Sequence, residues 1–184
     1  MPKGLIIIPG HGAGDSGACA SGKQEAVLVR QLAARIKAWG GGNVKRTAYK
    51  RNYYADRGIN NLSYSTKSWR IVELHMDSAG ATANGAHIII NAKTNADTCD
   101  KALAQAMAKM LPGRAEIIVK RSDLGNANRA HAKGYDYALV ECGFITNKHD
   151  REYVIEHMDD IAKAILQAHG IVPRTNPLKV RCPW

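Results

Sequence analysis

The chain has 184 residues, 45% of them hydrophobic, a size and apolar content that fit one folded domain. Lys and Arg number 26 against 16 acids, a formal charge of +10, which implies an anionic partner such as nucleic acid, a membrane surface or an acidic polymer. The cysteines Cys19, Cys99, Cys142 and Cys182 form no C-x-x-C pair, which excludes a zinc knuckle or thioredoxin motif and favours synthesis in a reducing compartment.

The first element is a buried strand, Leu5-Ile6-Ile7-Ile8. Its four apolar residues fall short of the roughly 7–15 of a signal-peptide core, and no stretch approaches the ~20 that span a bilayer. Synthesis in the cytoplasm without an export signal, and no membrane insertion, are the expectations. A glycine-rich loop from Pro9 to Gly17 follows, then a helix over 23–39 with Val27, Leu28, Leu32 and Ile36 on one face, stopped by Gly40-Gly41-Gly42. A second strand is expected at about 43–49. Residues 50–66 are polar and ambiguous, and are the best candidate for substrate-facing structure.

Strands are predicted at 69–75 and 86–90, separated by a small-residue loop over 77–85. A helix at about 95–111 ends at Pro112-Gly113, and 115–119 is a short strand. Residues 121–134 read as a loop, 137–141 as a strand and 148–169 as one long helix. Beyond Gly170 three prolines and no period indicate coil or the start of a linker. Short apolar runs alternating with amphipathic stretches specify an α/β fold: one domain over 1–170, a twisted, mostly parallel sheet flanked by helices.

Three chemistries compete for the opening loop. Gly12-Ala13-Gly14-Asp15-Ser16-Gly17 fits the dinucleotide pattern G-x-G-x-x-G, but five residues separate it from the helix that should bind the pyrophosphate. Gly17 to Lys23 fits the P-loop pattern, but Gln24 stands where a Ser or Thr should bind Mg²⁺. The third reading uses His11 past the first strand, Glu25 in the first helical turn and His75 at a strand end. Two histidines and a glutamate are a common ligand set for catalytic zinc, and strand carboxyl ends share one sheet edge with helix amino ends. Glu141 reaches the same rim. Taken singly, each has a structural alternative: a turn histidine, a helix-start acid, a core histidine and a capped strand end.

The same positions carry a family resemblance. Gly10-His11-Gly12, Asp15, Gly17-Ala18 and Glu25, then Leu74-His75-Met76-Asp77-Ser78 with Gly85, then Val140-Glu141-Cys142-Gly143-Phe144-Ile145-Thr146-Asn147 with Asp150, resemble in order the motifs of the Amidase_3 type of zinc-dependent N-acetylmuramoyl-L-alanine amidase. The resemblance implies a phosphorylase/hydrolase-like fold, one zinc ion per chain held by His11, Glu25 and His75, and Glu141 as the catalytic carboxylate. It further implies hydrolysis, by a zinc-activated water, of the amide between N-acetylmuramic acid and L-alanine in peptidoglycan. Asp77 stands where the family usually has Asn, and Cys142 where a small or apolar residue is common.

The +10 charge then has an anionic partner in the cell wall. A wall hydrolase without an export signal resembles a phage endolysin, with a host autolysin or spore enzyme as runner-up, and on that reading the coil from Ile171 is expected to be the stub of a linker to a separate wall-binding module absent from this chain. A basic, non-catalytic module is the alternative class, yet no nucleic-acid-binding signature is present. His87 is expected to be structural. Arg121, Arg129 and His131 read as surface charge, and Tyr53, Tyr54 and Trp69 as core or rim packing.

Overall fold

In the computed structural model, which describes residues 4–177, the first apolar run forms β1 (Gly4–Pro9), flanked on both sides by parallel neighbours. Leu5, Ile6, Ile7 and Ile8 are at most 1% exposed, so the run shows no alternation because both faces of the strand are covered. On one side lies β4 (Val44–Arg46) and on the other β5 (Trp69–Asp77), followed by β8 (Tyr137–Phe144), β6 (His87–Asn91) and β7 (Ile118–Arg121). The strands β4, β1, β5 and β8 run parallel, as do β6 and β7 with each other, and only the β6–β8 pairing is antiparallel, so the sheet is mostly parallel as expected. A separate two-stranded ribbon, β2 (Cys19–Ala20) with β3 (Lys23–Gln24), occupies the segment onto which the P-loop pattern falls.

Helices α1 (Glu25–Gly40), α2 (Thr98–Met110) and α5 (Met158–Ala168) cover one face of the sheet. Leu28, Leu32 and Ile36 of α1, Leu103 and Met107 of α2, and Ile161 and Ile165 of α5 join Leu5, Ile7, Val72 and Leu74 in the larger core. A capping box starts α2: Asp97 accepts from the Asp100 N–H (2.8 Å) and Asp100 from the Asp97 N–H (3.0 Å). The opposite face carries Ile6, Ile8, Ile71, Tyr137 and Leu139, packed under Tyr53 and Ile59 and under α3 (Gly125–Ala132).

The strand expected at 115–119 lies later, as β7, residues 23–24 pair in β3 instead of starting the first helix, and two helical regions also differ from the sequence expectation. The supposed loop over 121–134 contains α3, whose Gly, Asn and His residues are weak helix formers and whose N-terminus has no side-chain cap. Burial of Ala127 and Ala130, three apart on one face, stabilises it through packing. The long helix over 148–169 is two, α4 (Lys148–Glu156) and α5, broken at His157, whose ring stacks on Tyr153 at 4.3 Å. The break lets α4 follow β8 while α5 crosses to pack against α1 and α2.

Residues 171–177 form no helix or strand, and the remainder of the proposed linker stub, with Cys182, lies outside the described residues. Among the described residues no helix is long and apolar enough to cross a membrane.

One buried acid ties the carboxyl end of β8 to its neighbours. Asp150, fully buried, accepts hydrogen bonds from the N–H groups of Gly85 (2.8 Å) and Phe144 (3.0 Å). Gly143 makes room for it: a Cβ there would lie 2.9 Å from Asp150 Oδ2, and its φ is +82°. Asp150→Ala should strand both donors and cost about 3 kcal/mol, read as a lower urea midpoint. An unchanged midpoint would refute this account.

Candidate metal centre

Four elements of separate sequence origin meet at one sheet edge. His11 follows β1 and Glu25 is the first residue of α1, buried and turned back toward the strands. His75 lies in β5, in register with Glu141 of β8, so both side chains stand on the same face of adjacent strands. His11 Nε2 is 3.1 Å and His75 Nδ1 2.9 Å from Glu25 Oε1, and the two rings meet edge to face with centroids 4.9 Å apart. One donor atom from each of His11, Glu25 and His75 lies within 4.8 Å of the others, an arrangement able to hold a metal ion. Glu141 lines the same cleft, of about 340 Å³, together with Asp15, Tyr54, Glu73 and Tyr137. Its Oε2 is buried and has no hydrogen-bond partner among the described residues.

The family match spans this whole arrangement. Residues 5–170 match Amidase_3, described as N-acetylmuramoyl-L-alanine amidase. The chain belongs to this family.

A probable autolysin, PH, of Staphylococcus aureus (strain NCTC 8325) is 32% identical over 188 aligned residues, covering 92% of this chain and 39% of that protein. A probable cell wall amidase, LytH, of Staphylococcus saprophyticus is 25% identical over 90% of this chain and 56% of its own length. The chain thus spans well under two thirds of these relatives. The crystal structure of N-acetylmuramoyl-L-alanine amidase from Clostridium difficile 630 superposes with a TM-score of 0.72 at 19% identity, covering 91% of this chain and 95% of that one, which shows a shared fold.

The glycine-rich loop of this Amidase_3 chain is held open by sequence-distant bonds. His11 and Ala13 are in the left-handed region (φ +58° and +50°), a strained conformation for residues with a Cβ. The buried Arg30 guanidinium holds it there by donating to the carbonyls of Gly10 (2.7 Å), His11 (2.6 Å) and Tyr49 (2.9 Å). At Gly17 a Cβ would sit 2.7 Å from both Glu25 Oε2 and the His11 ring, so that glycine is required by close approach rather than by any phosphate.

Sequence reasoning did not single out Arg30, or Glu73, Asn126 and Tyr137 beneath the histidines. Alternation along β5 could have revealed Glu73, because a residue two before His75 shares its face. Asn126 had no such signal, since its helix forms only by packing. His87 is buried, as expected of a structural residue, and is in register with Glu141. His131 is exposed and Arg121 pairs with Asp123 (2.9 Å). Arg129 lies over Tyr54, which is 62% exposed at the cleft rim, while Tyr53 is in the core.

The electrostatics are set by burial and mutual contact. Burial alone would raise the Glu25 carboxyl, but hydrogen bonds from His11 and His75 hold it far below the usual carboxylate range. His11 is raised chiefly by its hydrogen bond to Glu25. His75 is raised well above an ordinary histidine, because the Glu25 and Glu73 contacts outweigh its desolvation. Glu141 is pushed up to about 7 by burial, with the His75 charge opposing and Asp77 reinforcing the shift.

In chelator-treated protein these shifts fix the sign of the pH response. His11, His75 and Glu141 bind protons more tightly folded than unfolded, so their contribution is present at low pH and lost as pH rises through their folded values. Glu25 and Asp15 act oppositely, losing theirs as pH falls below the ordinary carboxylate range. The cluster therefore stabilises most near pH 4.5, the unperturbed Glu value, where Glu25 is ionised while Glu141 and both histidines still hold their protons, and the first loss above that pH is that of Glu141. Thermal melts should show stability declining from about pH 5.5 to about pH 8, and Glu141→Gln should decline less steeply. Equal slopes in both proteins would remove Glu141 from this account.

Proposed function

We propose that this chain is a zinc-dependent N-acetylmuramoyl-L-alanine amidase that cleaves the amide between N-acetylmuramic acid and the L-alanine of the stem peptide in peptidoglycan. The observation that carries the reading is the convergence of His11, Glu25 and His75 within 4.8 Å beside a buried, unpartnered Glu141 oxygen. The donor chemistry fits zinc, since two imidazoles and one carboxylate are a common set at catalytic sites with an open fourth position. When bound, zinc supplies a Lewis acid for the carbonyl and lowers the pKa of water toward about 7. Family membership and the relatives' printed names, an autolysin and a cell wall amidase, support the bond and the polymer.

The chain's own residues account for the proton. A carboxyl held near 7 by burial is suited to accept a proton from water and return it to the leaving nitrogen at neutral pH. Tyr54 and Tyr137, with Leu124 and Leu139, provide an apolar wall that limits bulk water around the reacting amide. The net charge of +10 favours approach to an anionic wall.

Purified protein should contain about one zinc and clear peptidoglycan in a chelator-sensitive manner, releasing free L-alanine amino termini. New reducing sugar ends instead would move the cut to the glycan. Glu141→Gln should keep its zinc and lose roughly 10²–10⁴-fold in turnover, whereas His75→Ala should lose the metal. Near-normal turnover in Glu141→Gln would refute its role. Clearing should also weaken as salt rises from about 50 to about 300 mM, and salt-independent clearing would dismiss charge as the source of attraction.

A further inference from the structure

The face of the sheet beneath the histidines is apolar, lined by Ile8, Ile71, Ile89 and Leu139, yet β5 places a carboxylate in it. Glu73 is 3% exposed, and every polar contact made by its side chain is directed. The Tyr137 hydroxyl donates to Oε2 at 2.7 Å. The Asn126 amide nitrogen lies 3.0 Å from each carboxylate oxygen, and His75 Nε2 lies 3.2 Å from Oε1. A buried acid on an apolar sheet is costly and would be replaced cheaply by a hydrophobic side chain, so its presence requires a use.

The direction of each bond follows from the donors available. Arg129 has no acceptor, and its Nη1 lies 2.9 Å from Asn126 Oδ1, so the amide must present its NH₂ to Glu73. Asn126 and Tyr137 both donate, and ionised Glu73 can only accept. The contact with His75 therefore requires a proton on Nε2, so Nδ1, which donates to Glu25 in the metal-free protein, is the ring nitrogen able to give up its proton and present a lone pair to a metal beside Glu25 and His11. His11 has the mirror arrangement, with Nδ1 2.9 Å from Asp15 Oδ2 and Nε2 toward Glu25.

We propose that Glu73, oriented by Tyr137 and Asn126, is a positioning residue that locks His75 in the tautomer presenting Nδ1 to the metal. The inference rests on the zinc reading above. It makes α3 part of the site: Asn126 and Arg129, one helical turn apart, couple that helix to the ring of a ligand on β5.

Long-range ¹H–¹⁵N spectra of the histidine rings in zinc-loaded wild-type protein test this without any substitution. They should show His75 metallated at Nδ1 and protonated at Nε2. Competition with a chromophoric chelator then measures zinc affinity. Glu73→Gln should raise the dissociation constant roughly 10–100-fold, the usual effect of losing a carboxylate partner of a ligand histidine. Tyr137→Phe, which keeps the carboxylate, should raise it less. Metallation of His75 through Nε2, or an unchanged dissociation constant in folded Glu73→Gln, overturns the proposal while leaving the zinc reading intact. Wild-type protein that binds no zinc overturns the zinc reading, and this proposal with it.

Discussion

Everything at the proposed centre depends on the Glu25 carboxylate, which ties the loop after β1 and the end of β5 to the start of α1. Its Oε1 accepts from the Met76 N–H on β5 (3.0 Å) and faces both His11 and His75, while Oε2 accepts from the Ala18 N–H in the loop (3.0 Å). Because Glu25 begins α1, these bonds also fix where that helix starts against the sheet. A buried carboxylate is tolerable only when it is ionised against donors of this number and direction. The same requirement draws two histidines together, which in the absence of a partner would repel if both were charged.

The two faces of the sheet are used differently. One is a conventional core of aliphatic side chains from β1, β5 and β8 under α1, α2 and α5, and it provides the rigidity on which the site is built. The other begins as aliphatic core around Ile6, Ile8 and Ile71 and becomes polar toward the strand carboxyl ends, where Glu73, His75 and Glu141 stand in sequence along adjacent strands. This transition concentrates charge where the dielectric is low, and it explains why burial raises Glu141 while hydrogen bonding lowers Glu73 and Glu25. The strained loop at His11 is offset by Arg30, whose guanidinium occupies carbonyls that the loop's irregular backbone leaves unpaired within itself.

Much of this was legible in the residues. The run Leu5–Ile8, the helix face of Leu28, Leu32 and Ile36, and the small-residue turns identify an α/β sheet because burial on two faces and on one helical stripe leaves different periodicities. His11, Glu25, His75 and Glu141 were visible because each carries a chemically distinctive group at the end of a readable element, and because the spacing of the three motifs resembles one family. The elements that were misread share a cause. Residues 125–132 are too few, and too interrupted by Gly125, Asn126 and Asn128, to read as a helix without their packing on the sheet, and the turn at His157 follows from where α4 and α5 must pack.

The sequence by itself determined the α/β class, the family and which side chains are candidates for the site, since these depend on local periodicity, residue type and motif order. Only the tertiary structure decided which ring nitrogen of each histidine faces Glu25, that Glu73 and Asp15 stand behind them, and that Arg30 and Asn126 hold the parts in register. Those are properties of distance and direction between residues far apart in the chain, 53 positions for Glu73 and Asn126 and 64 for Glu73 and Tyr137. They exist only once the sheet and helices have packed, because no local pattern records which hydrogen-bond donors a buried carboxylate will meet.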